Sequence, residues 1–324
     1  MRSLRPSPCG SVFGTDAVCM PPVSAEPYRG IGRTGPCPWN GAVAKGCCVI
    51  RIARVFARKT KASPTDALAF YGPPGLFPPD ADEVHVSVTF REDMPWAEVL
   101  ARQWSHIARV KVGGPATGMR GGEFRPGLYL KPGYVITSRG CPNRCWFCDA
   151  WKREGNVVRE LPITDGSNIL DDNLLACSEA HIRAVFAMLG RQQGPIQFTG
   201  GLEAKRLLPW HVELLRSVRA KQMFFAYDTP DDYEPLLAAG KLLLAAGFTG
   251  ESKALRAYVL IGYRGDTPEK ASYRLEQTLE AGFVPMAMLW SGPKGKTKDQ
   301  IWTKLQRSWA RPAMIKRREK CSQS

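Results

Sequence analysis

Three cysteines inside eight residues, Cys141-Pro142-Asn143-Arg144-Cys145-Trp146-Phe147-Cys148, are the side chains whose type and spacing imply chemistry most directly. Thiolates gathered in one loop are metal ligands. A [4Fe-4S] cube ordinarily takes four cysteines, so three close together hold three irons and leave the fourth open. An open coordination position is what a reactive metal centre needs and a structural one lacks. Two other uses of the loop stay open on the residues alone. One is zinc completed by a distant residue, although zinc sites favour paired short spacings with histidine, and no histidine lies within thirty residues of the loop on either side. The other is an electron-transfer cluster closed by a fourth cysteine, for which Cys177 is the candidate.

The remaining cysteines do not form a disulfide framework. Of ten, five fall in the first 48 residues and Cys177 and Cys321 stand alone, with no apolar signal-peptide core after Arg2 and Arg5. Metal or redox use is the better expectation, and the chain reads as cytoplasmic, with no apolar run long enough to span a membrane. Cys37, Cys47 and Cys48 lack the paired spacing of a metal site.

The loop needs a scaffold, and the pattern from Tyr134 onward supplies one. Short apolar runs alternate with amphipathic stretches, as in successive βα units around a parallel sheet. Six strands are expected, over 134–138, 167–171, 195–199, 222–227, 256–262 and 284–289. Ser178 caps a helix that Gly190 stops, and Thr267-Pro268 opens another that Gly282 closes. Six such units make an α/β fold of the partial (β/α)6 barrel type, with the loops after the strands gathered at one mouth.

Ahead of this core, residues 49–133 read as a small α/β region. A strand from Val84 alternates Val84, Val86 and Val88 with polar residues, and a helix places Trp96, Val99, Leu100, Trp104 and Ile107 on one stripe. A short strand at Val110-Lys111-Val112 completes one βαβ unit, and a glycine-rich connector follows. Residues 1–48 hold seven proline and seven glycine residues with no periodicity, which predicts disorder or a loosely attached extension.

The loop and its position after the first core strand resemble the radical S-adenosylmethionine superfamily, in its C-x3-C-x2-C form with an aromatic before the third cysteine. The resemblance covers about residues 134–290. It implies that Cys141, Cys145 and Cys148 ligate a [4Fe-4S] cluster whose open iron chelates S-adenosylmethionine, that Phe147 lies near the adenine, and that a flavodoxin- or ferredoxin-type protein supplies the electron. Phe198-Thr199-Gly200-Gly201-Leu202-Glu203 resembles the segment binding the cofactor's amino group, with Leu202 interposed between the glycines and Glu203. Asp228 stands where the family places a ribose contact, and Ile261 in the strand that contacts adenine. An ordinary turn before Pro230 explains Asp228 equally, and a buried parallel strand explains Ile261.

Asp171-Asp172-Asn173 resembles a run in members related to methylthiotransferases and cobalamin-dependent enzymes; it could bind substrate, orient a loop, or cap the next element. The N-terminal unit resembles a shortened cobalamin-binding domain, yet no histidine has aspartate two places before it, so cobalamin is not expected.

Charge adds one expectation about partners. Residues 1–62 and 291–324 carry +8 each, which leaves the rest of the +15 chain at −1. Basic ends suit a polyanion, and a nucleic acid is the first substrate to consider; solvated tails are the plain alternative. The C-terminal segment interleaves Trp302, Leu305 and Trp309 with basic residues, which suits a nucleic-acid strand, but aromatics at helical spacing more often close a core. The non-enzymatic alternative is an iron-sulfur electron carrier or a nucleic-acid-binding protein.

Overall fold

A computed structural model of the chain describes residues 50–249, 253–292, 295–296 and 299–309. The expectations about residues 1–48, about Cys321 and about the basic tail beyond Trp309 lie outside the described residues.

The first sheet forms because short β-branched runs alternate inward apolar and outward polar side chains. Strands β1 (Ile52–Phe56), β2 (Ala69–Tyr71), β3 (Glu83–Ser87) and β4 (Arg109–Gly113) pair in the order β2-β1-β3-β4, all in parallel. Helix α1 (Met94–Trp104) connects β3 to β4 and buries Leu100 and Trp104 against Ala53, Val55, Val84 and Val86. The expected βαβ unit is present, and β1 and β2 extend it. Trp96, placed on the apolar stripe by periodicity, is instead 40% exposed, because the buried face runs through Ala97, Leu100 and Trp104. The other face of the sheet is covered by the connector: Arg54 in mid-β1 donates to the carbonyls of Gly127 and Leu128 at 3.1 and 2.9 Å.

The second sheet carries the site. Its strands β5 (Tyr134–Val135), β8 (Asn168–Ile169), β9 (Gln197–Phe198), β10 (Gln222–Tyr227), β11 (Leu255–Ile261) and β12 (Val284–Leu289) lie side by side in chain order, all parallel. Between β5 and β8 a two-stranded antiparallel pair, β6 (Ser138–Arg139) and β7 (Arg159–Glu160), frames the cysteine loop and its short helix α2 (Ala150–Glu154). Helices α3 (Glu179–Gly190), α4 (Pro209–Ser217), α5 (Tyr233–Ala245) and α6 (Pro268–Glu280) fill the later crossovers. Ser178 and Thr267 cap α3 and α6 as the sequence predicts, their side chains accepting the N–H of His181 and Lys270.

Strand alternation sorts the side chains into two faces. Phe198, Phe225, Val259, Ile261 and Leu289 join one core with Ile182, Leu189, Leu243 and Leu275 of the helices. The opposite face carries Phe224 stacked on Tyr258 with centroids 4.3 Å apart, and it leaves Ala226 and Met288 exposed. Helix α7 (Gln300–Trp309) returns to β12: Trp309 is buried in the core, with Trp302 and Leu305 packed against it. The aromatics of this segment therefore close the core. No helix among the described residues is long and apolar enough to cross a membrane.

Candidate functional site

The cysteine loop is closed at its base and fastened from inside. Ser138 pairs with Glu160 and Arg139 with Arg159, so residues 140–158 leave and rejoin at one point. Gly140, at φ +90°, begins the loop where a Cβ would come 2.5 Å from the Val157 carbonyl oxygen, so only glycine fits. Its N–H donates to Asp172 at 2.9 Å, and the next N–H, of Cys141, donates to the Gly155 carbonyl at 3.2 Å. The indole of Trp151 donates to the Cys145 carbonyl at 2.9 Å. Beneath the loop, Glu154 is 1% exposed; it pairs with Arg153 at 2.9 Å and Arg159 at 3.2 Å and accepts the Gly121 N–H at 3.1 Å. That carboxylate ties the glycine-rich connector to the loop, and Arg91 adds a surface tie to Asp149 at 2.5 Å.

Two strand ends bring polar groups to the thiols. Asn173, following β8 and 3% exposed, donates from Nδ2 to Cys141 Sγ at 3.5 Å and to Glu203 Oε2 at 2.7 Å. Its own Oδ1 is a buried acceptor without a hydrogen-bond partner. Glu203 is also paired with Arg206 at 2.6 Å. Asp228 follows β10 and accepts the Leu260 N–H at 3.1 Å, and its charge adds to what raises Cys145.

Burial, then the neighbouring Cys148 and Cys141, pushes the Cys145 thiol up to about 11. Burial pushes Cys148 up as well, with Cys141 and Asp172 adding to it against the Ala150 N–H. Burial, then Asp232, raises Asp228 to about 7. Burial first, and neighbouring acidic groups second, thus favour the protonated forms, and a cation held among the sulfurs would reverse the balance toward the thiolate form.

The predicted residues separate into those that reach this place and those that do not. Phe147 stands edge-on to Trp146 at 5.3 Å, and Trp146 also meets Tyr263 and Trp290 at 5.5 and 6.0 Å. Glu203 is one hydrogen-bonded residue from Cys141, and Asp228 adds, after burial and the other two cysteines, to what raises Cys145. Gly200 has a structural cause: a Cβ there would come 2.4 Å from the Asp171 carbonyl oxygen of the adjoining strand. Gly201, at φ +117°, faces open space. Ile261 is fully buried in the core shared with the helices, so its side chain points away from the face that carries Asp228; Leu260, beside it, points the other way.

Of the acidic run, Asp172 orients the loop through Gly140, and Asp171 accepts from the Thr137 N–H at 2.6 Å and the Ser138 hydroxyl at 2.7 Å. Cys177, the candidate fourth ligand, gathers instead with Asp171 and His181. Sequence reasoning missed the hydrogen bonds of Asn173, which depend on two strand ends meeting. It also missed the Trp146-Tyr263-Trp290 cluster, for which the only local signal was a second aromatic beside Phe147.

No protein-family model matches the chain, and no curated protein matches it. Among solved structures it is similar to the radical S-adenosylmethionine methyltransferase TsrM from Kitasatospora setae with cobalamin and [4Fe-4S] cluster bound. The TM-score is 0.52 at 12% identity, over 73% of this chain and 74% of that one. A second structure of that enzyme, with tryptophan substrate and the S-adenosylmethionine analogue aza-SAM, gives 0.49 at 12% identity over 65% and 62%. Coproporphyrinogen III oxidase (HemN) from Escherichia coli, described as a radical SAM enzyme, gives 0.33 at 14% identity over 46% and 36%. The structural neighbours are thus radical SAM enzymes. At these identities the likeness, carried by the first structure, is one of fold: a mixed α/β architecture with parallel sheets.

Proposed function

We propose that the chain is a radical S-adenosylmethionine enzyme in which Cys141, Cys145 and Cys148 hold a [4Fe-4S] cluster. The observation that carries this reading is a loop of three thiols, framed at the end of the first strand of a six-stranded parallel sheet, with Glu203 reaching Cys141 through Asn173. The donor set fits the group: three sulfurs, a carboxylate and a buried amide oxygen without a partner suit a metal with one vacant corner and a ligand bearing an ammonium group. When bound, the cluster supplies a chelating iron and an electron for reductive cleavage of S-adenosylmethionine.

This chain's own residues bind and orient. Glu203 offers a carboxylate to the cofactor's ammonium group, and Asn173 fixes that carboxylate with one N–H while the other turns to Cys141. Asp228, anchored to β11 through the Leu260 N–H, offers its carboxylate to the ribose. Phe147 and Gly201 leave room for the nucleoside, and Leu260 takes the apolar contact for which Ile261 faces the wrong way. We read the sequential strand order, with helices on one face, as an open (β/α)6 barrel over 134–290, its other face carrying Phe224 stacked on Tyr258 and the exposed Met288. The N-terminal sheet acts as a scaffold, tied to the loop by Glu154 and Arg91. A flavodoxin- or ferredoxin-type protein is the expected reductant, and the basic ends favour a nucleic-acid substrate.

Anaerobically reconstituted protein, reduced and given S-adenosylmethionine, is expected to release 5′-deoxyadenosine and methionine, read by liquid chromatography. The Cys145→Ala variant is expected to release neither. A wild-type protein that carries the cluster and releases none under reduction contradicts the proposal.

A further inference from the structure

A second constellation of ligand-type side chains lies behind the cysteine loop, on the helix-packed side of β8. Asp171, Cys177 and His181 each bring one ligand atom to within 4.8 Å of the others. We propose that these three residues form a metal site of their own, selective for zinc, and separate from the cysteine loop; the inference does not depend on the proposed function.

Each ligand comes from a fixed point of the fold. Asp171 follows β8, Cys177 precedes the cap of α3, and His181 sits in the first turn of that helix, its N–H held by the Ser178 hydroxyl at 3.2 Å. The imidazole is hydrogen-bonded at Nε2 and has a carboxylate near Nδ1. Nε2 lies 3.3 Å from the Thr137 hydroxyl, which itself donates to Asp171 at 2.5 Å, so this nitrogen is on the side of the carboxylate. Nδ1 lies 3.8 Å from Glu160. A carboxylate on the Nδ1 side, close enough to form a hydrogen bond after a small shift, is placed to fix the tautomer of a metal-bound imidazole.

Charge points the same way. Asp171 is 1% exposed, and its donors, the Thr137 N–H and the hydroxyls of Thr137 and Ser138, are all neutral. Among the described residues neither Asp171 nor Glu160 has a lysine or arginine within ion-pairing distance. A buried carboxylate without a cationic partner is costly as the anion and takes up either a proton or a cation, so a bound dication would take the proton's place. One oxygen, one nitrogen and one sulfur suit zinc, and the thiolate disfavours magnesium and calcium. Water or a neighbouring hydroxyl completes the tetrahedron, and binding releases the Cys177 thiol proton to solvent. Such an ion would join the end of β8 to the start of α3 beneath the Ser138–Gly140 turn that begins the cysteine loop.

The test uses the full chain in two forms, unaltered and with Cys141→Ala, Cys145→Ala and Cys148→Ala together, which removes the cluster ligands. Both are expected to retain one zinc per chain by elemental analysis. Cobalt added to the zinc-stripped triple variant is expected to give thiolate-to-cobalt absorption, abolished by Cys177→Ala. Because loss of a ligand could unfold the region, Glu160→Gln serves as the second variant: it keeps all three ligands and is expected to weaken zinc binding ~10–100-fold with the circular dichroism unchanged. Four results would overturn the proposal: no zinc, zinc lost with the loop cysteines, zinc unaffected by Cys177→Ala, or a folded Glu160→Gln protein of undiminished affinity.

Discussion

Asn173, bonded to Cys141, and Asp228, whose charge bears on Cys145, each make a separable prediction. Asn173 spends one amide on two partners, a sulfur and the Glu203 carboxylate, whose Oε2 also pairs with Arg206 at 2.6 Å, so the ammonium group would meet the second oxygen. A charge-assisted hydrogen bond is worth about 1.5–3 kcal/mol. Glu203→Ala is therefore expected to weaken S-adenosylmethionine binding about 10–100-fold, measured by titrating the cluster's spectrum, while cluster content stays unchanged. Asp228 is raised to about 7, by burial first and Asp232 second. Its folded form holds a proton more tightly than the unfolded chain does, so its stabilising effect is complete below about pH 4 and is lost as pH rises through about 7. In cluster-free protein, Asp228→Asn is expected to be more stable than the parent above pH 7, with the difference shrinking toward pH 4, in urea unfolding followed across that range. The cysteines were legible because ligand spacing is local. The Asn173 bridge was not, because residues 141, 173 and 203 meet only when three strand ends converge.

At the scale of elements, the six core strands could be placed from sequence because buried parallel strands are short apolar runs and their helices carry caps. Strand β1 escaped because Arg54 interrupts the run; its guanidinium is buried against the connector's carbonyls, which local sequence cannot show. The burial of Ile261 in the helix-packed core could not be read for a related reason. Apolar residues stand on both faces of β11, so composition does not say which one meets the helices. The turn after β11 is pinned by a buried ion pair, Arg274 to Asp266 at 2.9 Å, with Arg274 also donating to the Leu260 carbonyl at 2.8 Å and lying over the Tyr263 ring. Breaking one side of a buried pair costs about 3–5 kcal/mol. Arg274→Met is expected to lower stability by that much in urea unfolding and to loosen Tyr263 from Trp146, seen as a change in tryptophan fluorescence.

Over the whole molecule, two parallel sheets are joined through the base of the cysteine loop, where Glu154 meets the connector, and the second sheet is completed by α7. Trp309, 2% exposed, is the deepest residue of that helix. Trp309→Ala is expected to destabilise the core by about 3–5 kcal/mol, read by thermal unfolding; an effect confined to nucleic-acid binding would contradict the packing role. Alternating strands and helices made the fold class legible. The substrate was not legible, because the face proposed to receive it is assembled from single residues of successive strands.

The central claim is that three sulfurs hold a cubane with one iron free. Electron paramagnetic resonance of the reduced, reconstituted protein tests it most directly. A [4Fe-4S] signal that shifts when S-adenosylmethionine is added is expected, in wild type and in Cys177→Ala alike. A signal indifferent to that cofactor, or a cluster lost with Cys177, would contradict it.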